Sequence, residues 1–98
     1  MKSHTTSKFR KAFAALPKHT QRQAIPTYKR WLADPQHPSL DFKEMKLGEG
    51  APIWPARVSI DYRVVGIMKN GDSHWGFIGS HTDYDELIER YRRVRAGI

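Results

Sequence analysis

The sequence contains no cysteine, which excludes disulfide bonds, thiolate metal ligands and cysteine nucleophiles. It also lacks long hydrophobic runs, since no stretch approaches the roughly 20 apolar residues that a membrane-spanning helix needs. Residues 1–11 are polar and lack the apolar centre of a secretory signal. We therefore expect a cytoplasmic protein without a membrane segment, in a compartment whose reducing conditions suit a chain without disulfides.

Acidic residues are scarce beside basic ones. The chain has 10 Asp and Glu against 17 Lys and Arg, which gives a formal net charge of +7. Such an excess favours a polyanionic partner, because each phosphate that a cationic side chain neutralises releases bound counterions. Small domains also carry charge simply to remain soluble. Weighing the two, we expect a nucleic acid or an acidic protein as the partner.

Motifs for metals and cofactors are missing too. The sequence has no glycine-rich phosphate loop and no nucleophile elbow, and its histidines do not have the spacing of metal ligands. The histidines are His4, His19, His37, His74 and His81. We therefore expect neither a cofactor nor a metal centre.

The order of helical and extended patterns predicts the fold class. A chain of 98 residues is too short for two independent cores, so we expect one domain over residues 1–98. Apolar side chains at helical spacing predict a helical hairpin over about residues 5–33. Extended patterns follow over about residues 40–79, and a C-terminal helix is expected over about residues 82–95. This order predicts an α+β fold, with the helices packed on one face of a small, twisted, mainly antiparallel sheet.

The strands can be predicted in more detail. Residues 56–67 alternate apolar and polar side chains and give the clearest strand of the sequence, after a shorter one near residues 40–45. The pair Asn70–Gly71 favours a tight hairpin turn. Because side chains two apart share a face, the return strand is expected to place Trp75 and Phe77 on the same side.

Two residues are expected to shape the helices. Pro26 removes a backbone donor inside the second helix and should kink it. The hydroxyl of Thr82 is expected to cap the last helix, whose first turn is acidic, as the positive end of a helix favours.

Two arginines suggest a phosphate-binding surface. If residues 56–67 form one strand, Arg57 and Arg63 point away from the helices and stand about 20 Å apart along it. A guanidinium group suits phosphate oxygens and stabilises charge that develops at phosphorus. The same pattern also fits a solvated strand face on which Asp61 offsets the charge.

Three further side chains have suitable chemistry but weak individual signals. Glu44 lies between Lys43 and Lys46 and can act as a general base, although such a carboxylate is usually a surface charge. His81 can transfer a proton, and Tyr84 can stack on a base or donate a hydrogen bond. Taken alone, the histidine fits a loop position and the tyrosine a packing position.

The arrangement resembles a known family. Residues 54–66 resemble the signature strand of the RelE/ParE toxin superfamily, in which a Trp-x-x-Arg-hydrophobic segment leads to an Arg-hydrophobic-hydrophobic one. Residues 77–85 resemble the closing strand and turn of RelE-like members. Leu16–Pro17 and the junction at residues 34–40 also fit, so the likeness covers nearly the whole chain.

The resemblance implies an activity and partners. RelE- and YoeB-like members are metal-independent endoribonucleases that cleave mRNA on the ribosome by attack of a 2′-hydroxyl on the adjacent phosphate, which inhibits translation. An acidic, partly disordered antitoxin protein is the implied inhibitor. The implied roles are a general base for Glu44, phosphate binding for Arg57 and Arg63, and a general acid for His81 with Tyr84 beside it. The residues assigned to RNA binding are Lys43, Lys46, Arg57 and Arg63.

The likeness has departures, and two other functions remain open. YoeB-like chains end near their His-Tyr pair, whereas here a helix follows and two residues separate His81 from Tyr84. The ParE branch inhibits DNA gyrase instead of cutting RNA. An inactive, RNA-binding relative is the third possibility.

Overall fold

The chain forms a four-stranded sheet with helices on both faces. The computed structural model describes residues 2–48 and 50–95. In chain order the elements are β1 Ser3–Thr5, α1 Ser7–Ala14, α2 Lys18–Ala33, a 3-10 turn Pro38–Leu40, β2 Trp54–Arg57, β3 Tyr62–Lys69, β4 Asp72–Ser80 and α3 His81–Arg95. The strand order is β1-β4-β3-β2, with only β1 parallel to its neighbour. The predicted α+β class and mainly antiparallel sheet are confirmed.

The helical hairpin follows from local capping. Thr6 begins α1 by accepting a hydrogen bond at its hydroxyl from the amide of Phe9. The side chain of Gln21 joins the two helices, because its amide nitrogen donates to the carbonyls of Ala14 and Leu16 at 3.2 and 3.0 Å. Pro26 lies inside α2 without ending it. Within the described ranges, no helix has the length and apolar character to cross a bilayer.

The strand β1 was not predicted, since residue 5 was assigned to the first helix. It is held by backbone bonds to β4 and by Asp72, whose carboxylate accepts from the amide of Lys2 at 2.9 Å. This hydrogen bond, aided by the imidazole of His4, lowers the pKa of Asp72. The three polar residues of β1 have no strand pattern of their own in the sequence. They become a strand only because β4 offers an open edge.

The predicted long strand over residues 56–67 is wrong. The chain reverses at residues 58–61, so β2 and β3 form an antiparallel pair. The amides of Val58 and Ser59 donate to the carbonyl of Tyr62 at 3.0 and 3.3 Å and close the turn. Polar–apolar alternation continues through this turn and therefore hides it, although Ile60 is 82% exposed.

A β-bulge separates the two aromatic residues of β4. Val65 pairs with Phe77 but Gly66 pairs with Trp75, so Gly76 is an extra residue. The extra residue reverses the alternation, and the prediction that Trp75 and Phe77 share a face is wrong. Trp75 packs beneath α1 and α2, whereas Phe77 packs beneath α3.

Two apolar clusters therefore lie on opposite faces of the sheet. The first cluster joins Trp31 of the helical hairpin to Leu40 and to Trp75 of β4. The second joins Ile88 of α3 to Val65 of β3. The prediction that all helices share one face is corrected, because Val65 and its partner Phe77 face away from the helical hairpin and α3 covers them.

The segment before β2 also differs from its prediction. Leu40 ends the 3-10 turn instead of beginning a strand, and Asp41 then adopts a left-handed conformation with φ of 46°. Met45 forms only an isolated β-bridge with Ile53, through two backbone hydrogen bonds of 2.9 and 3.0 Å. The predicted hairpin turn is confirmed, because Asn70 and Gly71 both have positive φ and connect two adjacent strands.

We expect Gly66→Ala to destabilise the protein by about 1–3 kcal/mol, because a Cβ atom at Gly66 would lie 2.8 Å from a ring carbon of Trp75 and 3.1 Å from the carbonyl of His74. Urea unfolding followed by circular dichroism measures the loss. Gly76→Ala is the matched control, since a Cβ atom there meets nothing within 4 Å. Equal stability of the two variants would contradict the packing of Trp75 against β3.

Candidate active site

Two arginines face one another at the closed end of the β2–β3 hairpin. Arg57 and Arg63 are register partners, and partners in antiparallel strands have Cβ atoms about 5 Å apart. This replaces the predicted separation along a single strand. Like charges opposite one another destabilise a sheet, and no carboxylate in residues 2–48 and 50–95 forms an ion pair with either guanidinium. An anion bound between them would relieve this repulsion.

Arg63 also helps to close the turn. One nitrogen of its guanidinium, Nη1, donates to the carbonyl oxygens of Ser59 and Tyr62 at 2.7 and 3.0 Å. The side chain is therefore half-buried, and its other donors remain available to a ligand. Arg57 has no such structural hydrogen bond among the described residues and is exposed.

His81 is fixed at the start of α3. Its amide donates to the carbonyl of Asp61 at 2.7 Å, which attaches the first turn of the helix to the β2–β3 turn. The helix is capped by Ser80, whose hydroxyl accepts from the amide of Asp83 at 3.1 Å, so the predicted cap at Thr82 is wrong. The helix begins one residue earlier than expected because β4 continues directly into it.

The imidazole of His81 has a carboxylate partner that the sequence analysis missed. Its Nδ1 lies 3.1 Å from Oδ2 of Asp85, one helical turn further on. If Nδ1 carries the hydrogen, Nε2 is left to exchange a proton with a ligand. The i, i+4 spacing was the available signal, but it becomes informative only when residue 81 is known to lie inside the helix.

Tyr84 joins this group from the apolar side. Its ring lies edge-on to that of His81, with 6.2 Å between the centroids, and packs against the cluster beneath α3. Burial raises the pKa of Tyr84, and the positive charge of Arg63 opposes part of this shift. The phenol is therefore neutral at physiological pH and can donate a hydrogen bond to a ligand.

Glu44 lies apart from the other candidates. Its carboxylate is 3.9 Å from the ammonium of Lys46, while Lys43 pairs with Asp41 at 3.5 Å. In the described part of the chain, no hydrogen bond or ion pair connects Glu44 to the arginines or to His81. The structure thus brings Arg57, Arg63, His81 and Tyr84 to one end of the sheet and leaves the three residues of the segment before β2 outside that group.

Comparison with solved structures identifies the architecture. No protein-family model and no curated protein matches the chain. The RelE–RelB complex of Pyrococcus horikoshii OT3 is similar at a TM-score of 0.63 and 19% identity, over 81% of this chain and 92% of that chain. The RelB–RelE antitoxin–toxin complex of Methanococcus jannaschii is similar at a TM-score of 0.66 and 13% identity, over 86% of this chain and 96% of that chain. The isolated RelE toxin of E. coli is similar at a TM-score of 0.57 and 15% identity, over 91% of this chain and 96% of that chain.

The chain has the RelE fold. Coverage above 90% of each of these chains means that no large part of the RelE fold is missing here. The fold expected from the resemblance at residues 54–66 is thereby confirmed. At identities below 20% the likeness concerns the fold, and the roles of the side chains rest on their own geometry.

The hydroxyl of Tyr84 should ionise above the ordinary tyrosine pKa of 10.0, because burial disfavours the phenolate. The alkaline difference spectrum between wild-type protein and Tyr84→Phe isolates this group. Since the raised pKa belongs to the folded state, the stabilisation by the neutral phenol is complete below the unfolded value and is lost as pH rises through the folded pKa. Ionisation at or below the ordinary value would contradict the burial of the ring.

Proposed function

We propose that the protein is the toxin of a toxin–antitoxin pair and that it inhibits translation by cutting mRNA, without a metal, in the cytoplasm. The main support is the pair Arg57 and Arg63, which face one another without a carboxylate partner in the described chain, beside His81 and Tyr84. This set offers binding for a phosphate and a proton donor for a leaving group. A protein that only binds gyrase has no need of that combination.

The proposed reaction is an internal transfer at phosphorus. The 2′-oxygen of one nucleotide attacks the adjacent phosphorus, the bond from phosphorus to the 5′-oxygen breaks, and the products are a 2′,3′-cyclic phosphate and a free 5′-hydroxyl. A base takes the proton of the 2′-hydroxyl, and an acid supplies one to the 5′-oxygen. Negative charge on the phosphoryl oxygens rises during the reaction, and the guanidinium groups of Arg57 and Arg63 stabilise it.

We assign the acid role to His81 and a supporting role to Tyr84. The carboxylate of Asp85 orients the imidazole, so that its other nitrogen faces the ligand. The neutral phenol of Tyr84 donates a hydrogen bond to a phosphate or ribose oxygen. Glu44 is the proposed base on the family resemblance; it lies outside the group of Arg57, Arg63 and His81, in a weak, exposed ion pair with Lys46 that RNA binding would have to break.

The proposed partners are an acidic antitoxin, mRNA and the ribosome. Two of the structures with this fold are complexes of RelE with RelB, and one is described as an antitoxin–toxin complex. The net charge of +7 suits an acidic protein as well as RNA. Lys43 and Lys46 extend the basic surface next to β2 and are proposed to bind RNA phosphates.

Incubation with translating ribosomes, followed by mapping of mRNA ends, tests the activity. We expect new 5′-hydroxyl ends with wild-type protein and roughly 100-fold slower cleavage with Arg57→Ala, because one of the two groups that stabilise the phosphate is lost. Lys69→Ala is the charge-matched control, since Lys69 is at the other end of β3, about 20 Å away. Undiminished cleavage by Arg57→Ala, or inhibition of gyrase supercoiling without RNA cleavage, would refute the proposal.

The acid role of His81 has a separate test. His81→Ala should slow cleavage of normal RNA by about 100-fold or more, because the 5′-oxygen then leaves without a proton. With sulfur in place of that oxygen, the variant and the wild type should cleave at similar rates, since a thiolate is a good leaving group without protonation. An equal loss on both substrates would mean that His81 acts through structure and not as the acid.

A further inference from the structure

A cavity lined in part by Arg57 lies on the side of the helical hairpin. It has a volume of about 310 Å³ and lies between the C-terminal half of α2 and the β2–β3 turn. Arg30 of α2 and Arg57 of β2 both line this cavity, together with Ser39 and Ser59. Two arginines on different elements thus line one concave site, Arg57 from the edge strand of the sheet.

Arg30 is held in position by a chain of hydrogen bonds. Nδ1 of His37 accepts from the amide of Ser39 at 3.2 Å, so this nitrogen carries no hydrogen. The hydroxyl of Ser39, 2.8 Å away, donates to the same nitrogen and keeps its oxygen free to accept from Nη1 of Arg30 at 3.1 Å. The long arginine side chain is thereby ordered before any ligand binds.

The charge of this cavity is not balanced from within the protein. In the described residues, neither Arg30 nor Arg57 forms an ion pair with a carboxylate. Arg30 uses one nitrogen for Ser39, so its remaining donors can form a bidentate contact with an anion. The cavity volume is at the lower end of the range for ligand pockets, roughly 300–1,000 Å³. A single phosphate with part of a nucleoside suits it better than a large ligand does.

The rim of the cavity adds an apolar surface. Ile60 lines the site at the tip of the β2–β3 turn, and 82% of its surface is exposed. The packing of the core therefore does not explain an apolar residue at this position. An apolar side chain beside two arginines suits the sugar or base of a nucleotide whose phosphate is bound next to it. A simple inorganic anion would gain nothing from Ile60.

We propose that this cavity is a second RNA subsite, in which Arg30 and Arg57 bind a backbone phosphate that flanks the one to be cut. The inference rests on the proposed RNA-cutting function and deepens it. Arg57 faces Arg63 across the hairpin and also borders the cavity, so one strand of RNA can contact both sites. The strand would then pass around the edge of β2 towards the end of α2.

Salt-dependent binding of a non-cleavable RNA, with every 2′-hydroxyl methylated, tests this subsite. Because each single-strand phosphate contact contributes about 0.7 to the slope of log affinity against log salt, Arg30→Ala should lower the slope by about that amount and weaken binding about 10-fold. Arg30→Lys should restore the slope but only part of the affinity, since lysine lacks the fork. Ser39→Ala should keep the slope and weaken binding slightly, because it frees Arg30 without removing its charge.

Arg22→Ala is the matched control, with the same residue type on the same helix about 12 Å away. A slope that changes equally in Arg30→Ala and Arg22→Ala would overturn the subsite while leaving ribosomal cleavage by the wild type unaffected. Conversely, a wild type that binds the methylated RNA through Arg30 but cuts no mRNA would overturn the proposed nuclease and support the subsite.

Inorganic phosphate, titrated in place of RNA, separates a strand-binding subsite from a site for free phosphate. We expect the backbone amide resonances of Ser39 and Ser59 to shift only at millimolar phosphate, because the nucleoside contacts are absent. Saturation at micromolar phosphate would identify a site for the free ion and overturn the assignment to RNA.

Discussion

The hydrogen bonds that close the β2–β3 turn determine where the functional side chains lie. Nη1 of Arg63 donates to the carbonyls of Ser59 and Tyr62, and the reversal that it stabilises places Arg57 opposite Arg63. Another carbonyl of the same turn, that of Asp61, accepts a hydrogen bond from the amide of His81 and fixes the start of α3. One short turn therefore sets the distance between the two arginines and also the position of the histidine.

The bulge at Gly76 provides the other half of the arrangement. It places Trp75 and Phe77 on opposite faces of β4, so that Trp75 packs under the helical hairpin and Phe77 packs under α3. This packing half-buries Tyr84 and raises the pKa of its phenol, while the positive charge of Arg63 opposes part of the shift. Without the bulge, Trp75 and Phe77 would compete for one face, and α3 would have a smaller surface to cover.

Sequence reasoning succeeded where the signals were local. The spacing of apolar side chains located the helices, and Asn70–Gly71 located one turn. It failed where pairing between distant residues decides: alternation runs unbroken through residues 58–61, and the bulge exists only relative to β3. For the site, residue type and family resemblance selected Arg57 and His81, but their proximity required the turn. Arg30 has no signal in the sequence, because the hydroxyl that holds it belongs to the 3-10 turn and its position depends on how the chain folds after α2.

The placement of Arg57 opposite Arg63 links the stability of the fold to the binding of a ligand. Arg57 and Arg63 repel one another across the hairpin, and Arg30 adds a third positive group near the same strand. A ligand that binds only the folded state stabilises it in proportion to the logarithm of its concentration, and an anion here would also remove this repulsion. Both of the proposed partners, RNA and an acidic antitoxin, carry the negative charge that would do so. Under the proposed function, competition for these arginines would be enough to silence the protein without any change in its fold.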